Sequence, residues 1–171
     1  MLGENEIIDN SVCSFTGHRI IPAAHFEQLP GLIDRGIGYV YTHGCRRFLC
    51  GGAIGFDTMA AERVIAFRAA HPDVALEMIL PCIDQDSLWS FEQKRAYRRT
   101  LELADKVEYL TTVYYEGCMH ARNRRLVRDC DFLIAYVTRQ GGAMQTLMLA
   151  EDMGKHIYNL AKGIRGRGPA R

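Results

Sequence analysis

The chain has 171 residues, 48% hydrophobic and 24% charged, with a formal net charge of +1 at neutral pH. That length suits one domain burying about two-thirds of its unfolded surface. The balanced charge excludes a global attraction for nucleic acid or membrane, and no apolar run reaches the roughly 20 residues of a membrane-spanning helix. The first residues, Met1-Leu2-Gly3-Glu4-Asn5-Glu6, are acidic where a secretory signal is basic, so a cytoplasmic chain is expected.

Val12-Cys13-Ser14-Phe15 reads as a buried strand that breaks at Thr16-Gly17-His18-Arg19. Leu32, Ile33, Gly36, Ile37, Val40 and Tyr41 keep one helical face apolar, and Gly44 ends that helix. A second strand, 47–50, empties into Gly51-Gly52-Ala53-Ile54-Gly55-Phe56-Asp57. A helix follows over 57–70, stopped by His71-Pro72, and then a third strand over 74–80, stopped by Pro81. The segment 90–103 is a charged amphipathic helix, 107–110 a short strand and 119–128 a helix. The strand 132–137 breaks at Gly141-Gly142-Ala143, the helix 146–153 is closed by Gly154, and 156–160 is the last strand.

This alternation predicts an α/β fold with an open, mostly parallel sheet and helices on both faces. It forms a single domain over 1–162, and the basic tail 163–171, without apolar periodicity, is expected to be disordered. In such a sheet every strand-to-helix break lies at the carboxyl end, where ligands bind. Three polar or glycine-rich breaks therefore converge on one ligand. A strand that runs into glycines and then a helix offers backbone N–H groups and a positive dipole end to an anion such as phosphate. The spacing around Gly51 is neither a G-x-G-x-x-G fingerprint nor a Walker A loop. A plain tight turn is the alternative there.

Cys13, Cys50 and Cys130 lie in or beside strand-like runs, as buried free thiols do. With no C-x-x-C pair, and with Cys118 and His120 alone close together, no metal site is expected.

Cys13 to Arg19, the run from Gly51 to Glu62, Trp89, Gln93 and Tyr97, Ala104-Asp105, Arg122-Asn123 and Gly141-Gly142 together resemble the YpsA-like branch of the SLOG superfamily, in order over about residues 12 to 160. The resemblance implies a Rossmann-like sheet with a pocket for a nucleotide or nucleotide-derived ligand. Two relatives supply rival activities. Lonely-guy phosphoribohydrolases carry Met-x-x-Arg-Lys, to which Met119-His120-Ala121-Arg122-Asn123 is similar with Asn for Lys. Their later Pro-Gly-Gly-x-Gly-Thr-x-x-Glu is degraded here: no Pro precedes Gly141, Met144 replaces a glycine, and no carboxylate stands at the glutamate position. N-glycosidic cleavage needs a carboxylate to stabilise an oxocarbenium-like state, so Glu151, Glu62 and Asp57 are the substitutes, with Arg122 beside them. DNA-processing protein A, whose glycine-rich segment resembles 51–57, implies single-stranded DNA binding. That would draw on Lys94, Arg95, Arg98 and Arg99 and on Arg122, Arg124, Arg125 and Arg128, diluted by nearby acidic residues.

The preferred reading is a sensor or regulatory module that binds a small-molecule nucleotide derivative. It requires no cofactor, with nucleic acid an unfavoured partner and self-association open by analogy. Thr16, Gly17, His18 and Arg19 would form one wall, with Arg19 a fork donor to phosphate; in a plain surface turn Arg19 would pair with a carboxylate. Gly51, Gly52, Ala53 and Gly55 would offer N–H groups, and Asp57 would cap its helix or take ribose hydroxyls. Arg122 and Asn123 would clamp phosphate or ribose, or belong to a solvated basic face. Gly141, Gly142 and Ala143 would receive a second phosphate, or form a mobile loop. Trp89 is a base-stacking candidate or a core residue. His18 is placed to titrate near neutrality but has no evident nucleophile partner.

Overall fold

The apolar runs and amphipathic segments fold as six strands and six helices in the computed structural model, which describes residues 2–166. In chain order these are β1 (Ser11–Gly17), α1 (Ala23–Phe26), α2 (Leu29–Thr42), β2 (Cys45–Cys50), α3 (Phe56–Ala70) and β3 (Ala75–Cys82). Then come α4 (Phe91–Leu103), β4 (Lys106–Thr111), α5 (Cys118–Arg128), β5 (Phe132–Tyr136), α6 (Gly142–Asp152), β6 (His156–Asn159) and a 3-10 turn, Leu160–Gly163. All strand pairs are parallel, in the order β4-β3-β2-β1-β5-β6. The fold is the open parallel α/β sheet that the alternation implies, and it is Rossmann-like, as the resemblance implies. Among the described residues no helix is long and apolar enough to cross a membrane.

Alternating side chains divide the sheet's two faces. Cys13, Phe15, Phe48 and Phe132 join one core cluster with Ile33 of α2, Ala60 of α3 and Tyr97 of α4. On the other face Val12, Leu49 and Ile79 pack with Leu126 of α5, and Leu133 and Ala135 with Val127 and with Leu147 and Ala150 of α6. The chain steps outward from β1 to β4, then returns to place β5 on the other side of β1. That reversal opens a crevice at the carboxyl ends of β1 and β5, the topological switch point.

Several details depart from the sequence reading. Strand β3 continues through Pro81, because β2 has already ended at the Cys50–Met78 pair and the missing N–H breaks no bond on that side. Helix α6 starts four residues earlier than its apolar pattern, at Gly142; Gly141, at φ +141°, turns the chain and the Thr146 hydroxyl donates to the Gly142 carbonyl at 2.8 Å. The short α1 carries no apolar face and left no periodic signal. Of the tail expected to be disordered, residues 163–166 are placed against α2's start. Arg165 N–H donates to Gln28 Oε1 (2.9 Å), and Gln28 Nε2 donates to the Arg165 carbonyl (3.1 Å). Residues 167–171 lie outside those described.

Helix α4 opens with a reciprocal cap: Ser90 Oγ accepts from Gln93 N–H (3.2 Å) and Gln93 Oε1 accepts from Ser90 N–H (3.0 Å). Removing the hydroxyl in Ser90→Ala costs about 1 kcal/mol. A thermal melt of that variant should show a midpoint roughly 2–4 °C lower; an unchanged midpoint would mean that the cap adds nothing to the folded state.

Candidate functional site

Two ties between a side chain and the backbone close the crevice between β1 and β5. His18, 6% exposed beyond the end of β1, accepts the Thr138 N–H at Nε2 (2.8 Å). Since Nε2 is an acceptor, the neutral ring carries its proton on Nδ1. Burial lowers the pKa of His18, and the Arg139 guanidinium lowers it further. Arg139 itself donates to the Ile20 carbonyl at 3.0 Å, so the loops after β1 and β5 hold each other. Gly17 is a packing necessity here, because a Cβ would meet the Phe56 ring at 2.4 Å.

The loop after β2 is closed from inside. Asp57 Oδ2 accepts from Ala53 N–H (3.2 Å), the Thr58 hydroxyl donates to the Ala53 carbonyl (3.0 Å), and Phe56 N–H reaches the His18 carbonyl (3.1 Å). Gly55, not Asp57, caps α3, at φ +77°. Added to Gly55, a Cβ would lie 2.2 Å from the Arg19 carbonyl oxygen. Gly51 faces Arg122, whose guanidinium nitrogen a Cβ would meet at 2.7 Å. These glycines let protein approach protein.

Arg122, on the inner side of α5 and only 4% exposed, is the centre of the arrangement. It donates from Nη1 to the Gly51 carbonyl and from Nε to Asn123 Oδ1 (2.8 Å). Among the described residues no carboxylate is in ion-pair contact with it. Burial pushes its pKa down and the nearby Asp57 charge pulls it back up; a guanidinium stays protonated in any case. Burial likewise raises the Asp57 pKa, opposed first by Arg122 and then by the Ala53 N–H and Arg19. Arg19, exposed at the rim, brings its Nη2 to 4.0 Å from Met119 Sδ, and Arg122 Nη2 stands 3.9 Å from the same sulfur. Two cations thus reach one uncharged atom. Neither is in ion-pair contact with a described carboxylate.

These groups surround a cavity of about 290 Å³. Thr16, Gly17, His18 and Arg19 line it from β1, and Ala53 and Asp57 from the second loop. Arg122 and Asn123 line it from α5, and Gly142 and Ala143 from the first turn of α6, which holds no acidic residue and whose N–H groups have no partner within the helix. Gly51, Gly52, Gly55 and Gly141 are not in the lining. Glu62 is exposed on the outer side of α3, beside Arg63 and Glu92, and faces a different groove. Glu151 is exposed nine residues along α6 from Gly142, about 13 Å away at 1.5 Å per residue. Of the four catalytic candidates, the fold brings together Arg122 and Asp57 alone.

The YpsA family model, described as the YspA SLOG family, matches residues 23–158. The chain belongs to the YspA SLOG family. A UPF0398 protein of Halalkalibacterium halodurans is 32% identical over 120 residues, 69% of this SLOG chain and 59% of that protein. YoqJ of Bacillus subtilis, an SPbeta prophage-derived protein, is 38% identical over 61 residues, 36% of each chain. The matched segments thus span less than two-thirds of the length of these relatives. A structure of DNA processing protein A from Helicobacter pylori, described for its single-stranded DNA binding mode, superposes with a TM-score of 0.60. It covers 87% of this chain and 64% of that one at 19% identity, a likeness of fold.

Two members of the SLOG site gave little notice in the sequence. Met119 appears there only as the first residue of Met119-His120-Ala121-Arg122-Asn123, yet its sulfur is what both guanidiniums approach. Thr138 acts through its backbone, which no side-chain pattern reveals.

A histidine with a lowered folded pKa binds fewer protons in the native than in the unfolded chain around its ordinary value of 6.5. Its contribution to stability is therefore complete above that value and is lost as pH falls through it. The urea midpoint should drop between pH 7.5 and 5.5 by more in the wild type than in His18→Gln. Equal drops would contradict a neutral, buried His18.

Proposed function

We propose that this SLOG chain binds a phosphate-bearing nucleotide or nucleotide-derived ligand in the crevice between β1 and β5, as a sensor or regulatory module. The observation that carries this reading is the pair Arg19 and Arg122, converging on a cavity that also takes in the start of α6, with no carboxylate partner among the described residues. Burying a guanidinium without an ion pair is costly, and a bound phosphate removes that cost through charge-assisted hydrogen bonds. The first-turn N–H groups of α6 add donors of the same polarity. A cavity of about 290 Å³ stands at the small end of ligand sites, which run from about 300 to 1,000 Å³, and so favours a mononucleotide over a dinucleotide at this position.

Hydrolysis of an N-glycosidic bond is the less supported reading. Asp57 is the one carboxylate in the lining; it is already engaged by Ala53, and burial favours its neutral form. An oxocarbenium-like state calls for an ionised carboxylate. Single-stranded nucleic acid has a specific observation in its favour. Lys94, Arg95, Arg98 and Arg99 on α4 have no ion-pair partner among the described residues, whereas Arg125 is held by Glu108 and Asp129, and Arg128 by Asp129. The structural neighbour is described for binding single-stranded DNA. Such binding would weaken steeply with salt.

Thermal unfolding against AMP, ribose 5-phosphate and a short single-stranded oligonucleotide separates these readings. At about a hundred times its dissociation constant a ligand adds roughly 2.7 kcal/mol, which for this size raises the midpoint by several degrees. AMP and ribose 5-phosphate should produce the shift, and Arg19→Ala should weaken both about tenfold, as loss of a charge-assisted bond does. A response to the oligonucleotide alone would replace the mononucleotide reading with the nucleic-acid one.

A further inference from the structure

Arg19 and Met119 line a second groove as well, of about 580 Å³, so the two spaces share a boundary. The new groove differs in chemistry. Its walls carry Ile54, Trp89 and Tyr114 together with the carboxamides of Gln85 and Gln93. Trp89, half-buried just before α4, packs edge-on against the Tyr97 ring, with centroids 5.1 Å apart and planes at 72°. Tyr114 is 58% exposed on the loop after β4, and its backbone N–H is anchored on Asp84 Oδ1 at 3.2 Å. Exposed aromatic surface at a groove beside a cationic cavity is the combination that accepts a flat heterocycle attached to a phosphate.

Gln85 adds a polar requirement. It is 8% exposed, and its Nε2 donates to the Tyr97 hydroxyl (3.0 Å) and to the Gly52 carbonyl (3.4 Å). A carbonyl oxygen has no proton, so the atom facing Gly52 is the nitrogen and the orientation of the carboxamide is fixed. The other atom, Oε1, is buried with no hydrogen-bond partner among the described residues. Buried polar atoms are paired in nearly all native structures, and an orphan acceptor calls for a donor. An exocyclic amino group, such as N6 of adenine, is such a donor.

Resting on the phosphate reading above, we propose that the Trp89–Tyr114 groove is the nucleobase subsite of the same ligand, and that Gln85 selects a base bearing an exocyclic amino group. The phosphate lies between Arg19, Arg122 and the start of α6, the ribose passes Met119, and the base lies against Trp89 and Tyr114.

Trp89 is the only tryptophan in the chain, so its emission reports on this groove alone. The intact protein is titrated with ribose 5-phosphate, AMP and purine riboside 5′-monophosphate, which lacks only the amino group, while melting midpoint and tryptophan emission are followed. All three should raise the midpoint, but only the two with a base should change the emission. AMP should bind about tenfold tighter than the analogue, the effect of one hydrogen bond to a buried acceptor. Gln85→Leu should erase that preference, and Tyr114→Ala, at an exposed side chain, should weaken AMP without affecting ribose 5-phosphate. Equal affinity for AMP and ribose 5-phosphate with unchanged emission would overturn the groove while leaving the phosphate site standing. Equal affinity for AMP and the analogue would overturn the role of Gln85. Silence with all three would remove the phosphate reading and this inference with it.

Discussion

A buried guanidinium laid across a glycine organises this end of the molecule. Arg122 donates to the Gly51 carbonyl from a position where any Cβ on Gly51 would collide with it. The contact fixes the distance between α5 and the carboxyl end of β2. It also places a positive charge deep in the crevice, 4% exposed, with Asp57 near enough to affect its pKa but not in contact. A fold that needed only packing here would place an apolar side chain at this position, because a buried cation without an ion pair lowers stability. Keeping the charge is intelligible when an anion completes the site.

The surrounding loops read as consequences of that arrangement. Gly55 exists because the Arg19 carbonyl occupies its Cβ position, and Gly17 because Phe56 does. Phe56 N–H then reaches the His18 carbonyl, and the His18 ring reaches Thr138 on the other side of the crevice. Three strand ends are thus joined by hydrogen bonds before any ligand arrives. Such a cavity is preformed, and preorganisation lowers the entropic cost of binding.

The sheet was legible in the sequence because apolar runs of strand length alternate with helical faces, and Gly44, His71-Pro72 and Gly154 mark their ends. The crevice was legible too, since every parallel strand must deliver its break to one edge. What stayed hidden was the use made of each residue. A glycine that bares its N–H to a phosphate and one that yields to a neighbouring carbonyl, guanidinium or methyl group look alike in sequence, so the role of Gly51, Gly52 and Gly55 depended on Arg122, Leu80 and Arg19. Glu62 and Glu151 looked available because sequence distance does not report helix phase or the 1.5 Å rise that carries a residue away from the site. Gly142 reads as part of a break because glycine has poor helix propensity, whereas its place after the Gly141 turn puts it inside α6.

The proposed anion lies between the arginines and the start of α6 rather than on the glycine loop after β2. Backbone amide chemical shifts of the isotope-labelled protein, followed as ribose 5-phosphate is added, address that directly. The largest changes should fall on Gly142 and Ala143, with Thr16 to Arg19 following and Gly52 to Gly55 moving little. Dominant changes at Gly51 to Gly55 with a still α6 would contradict it.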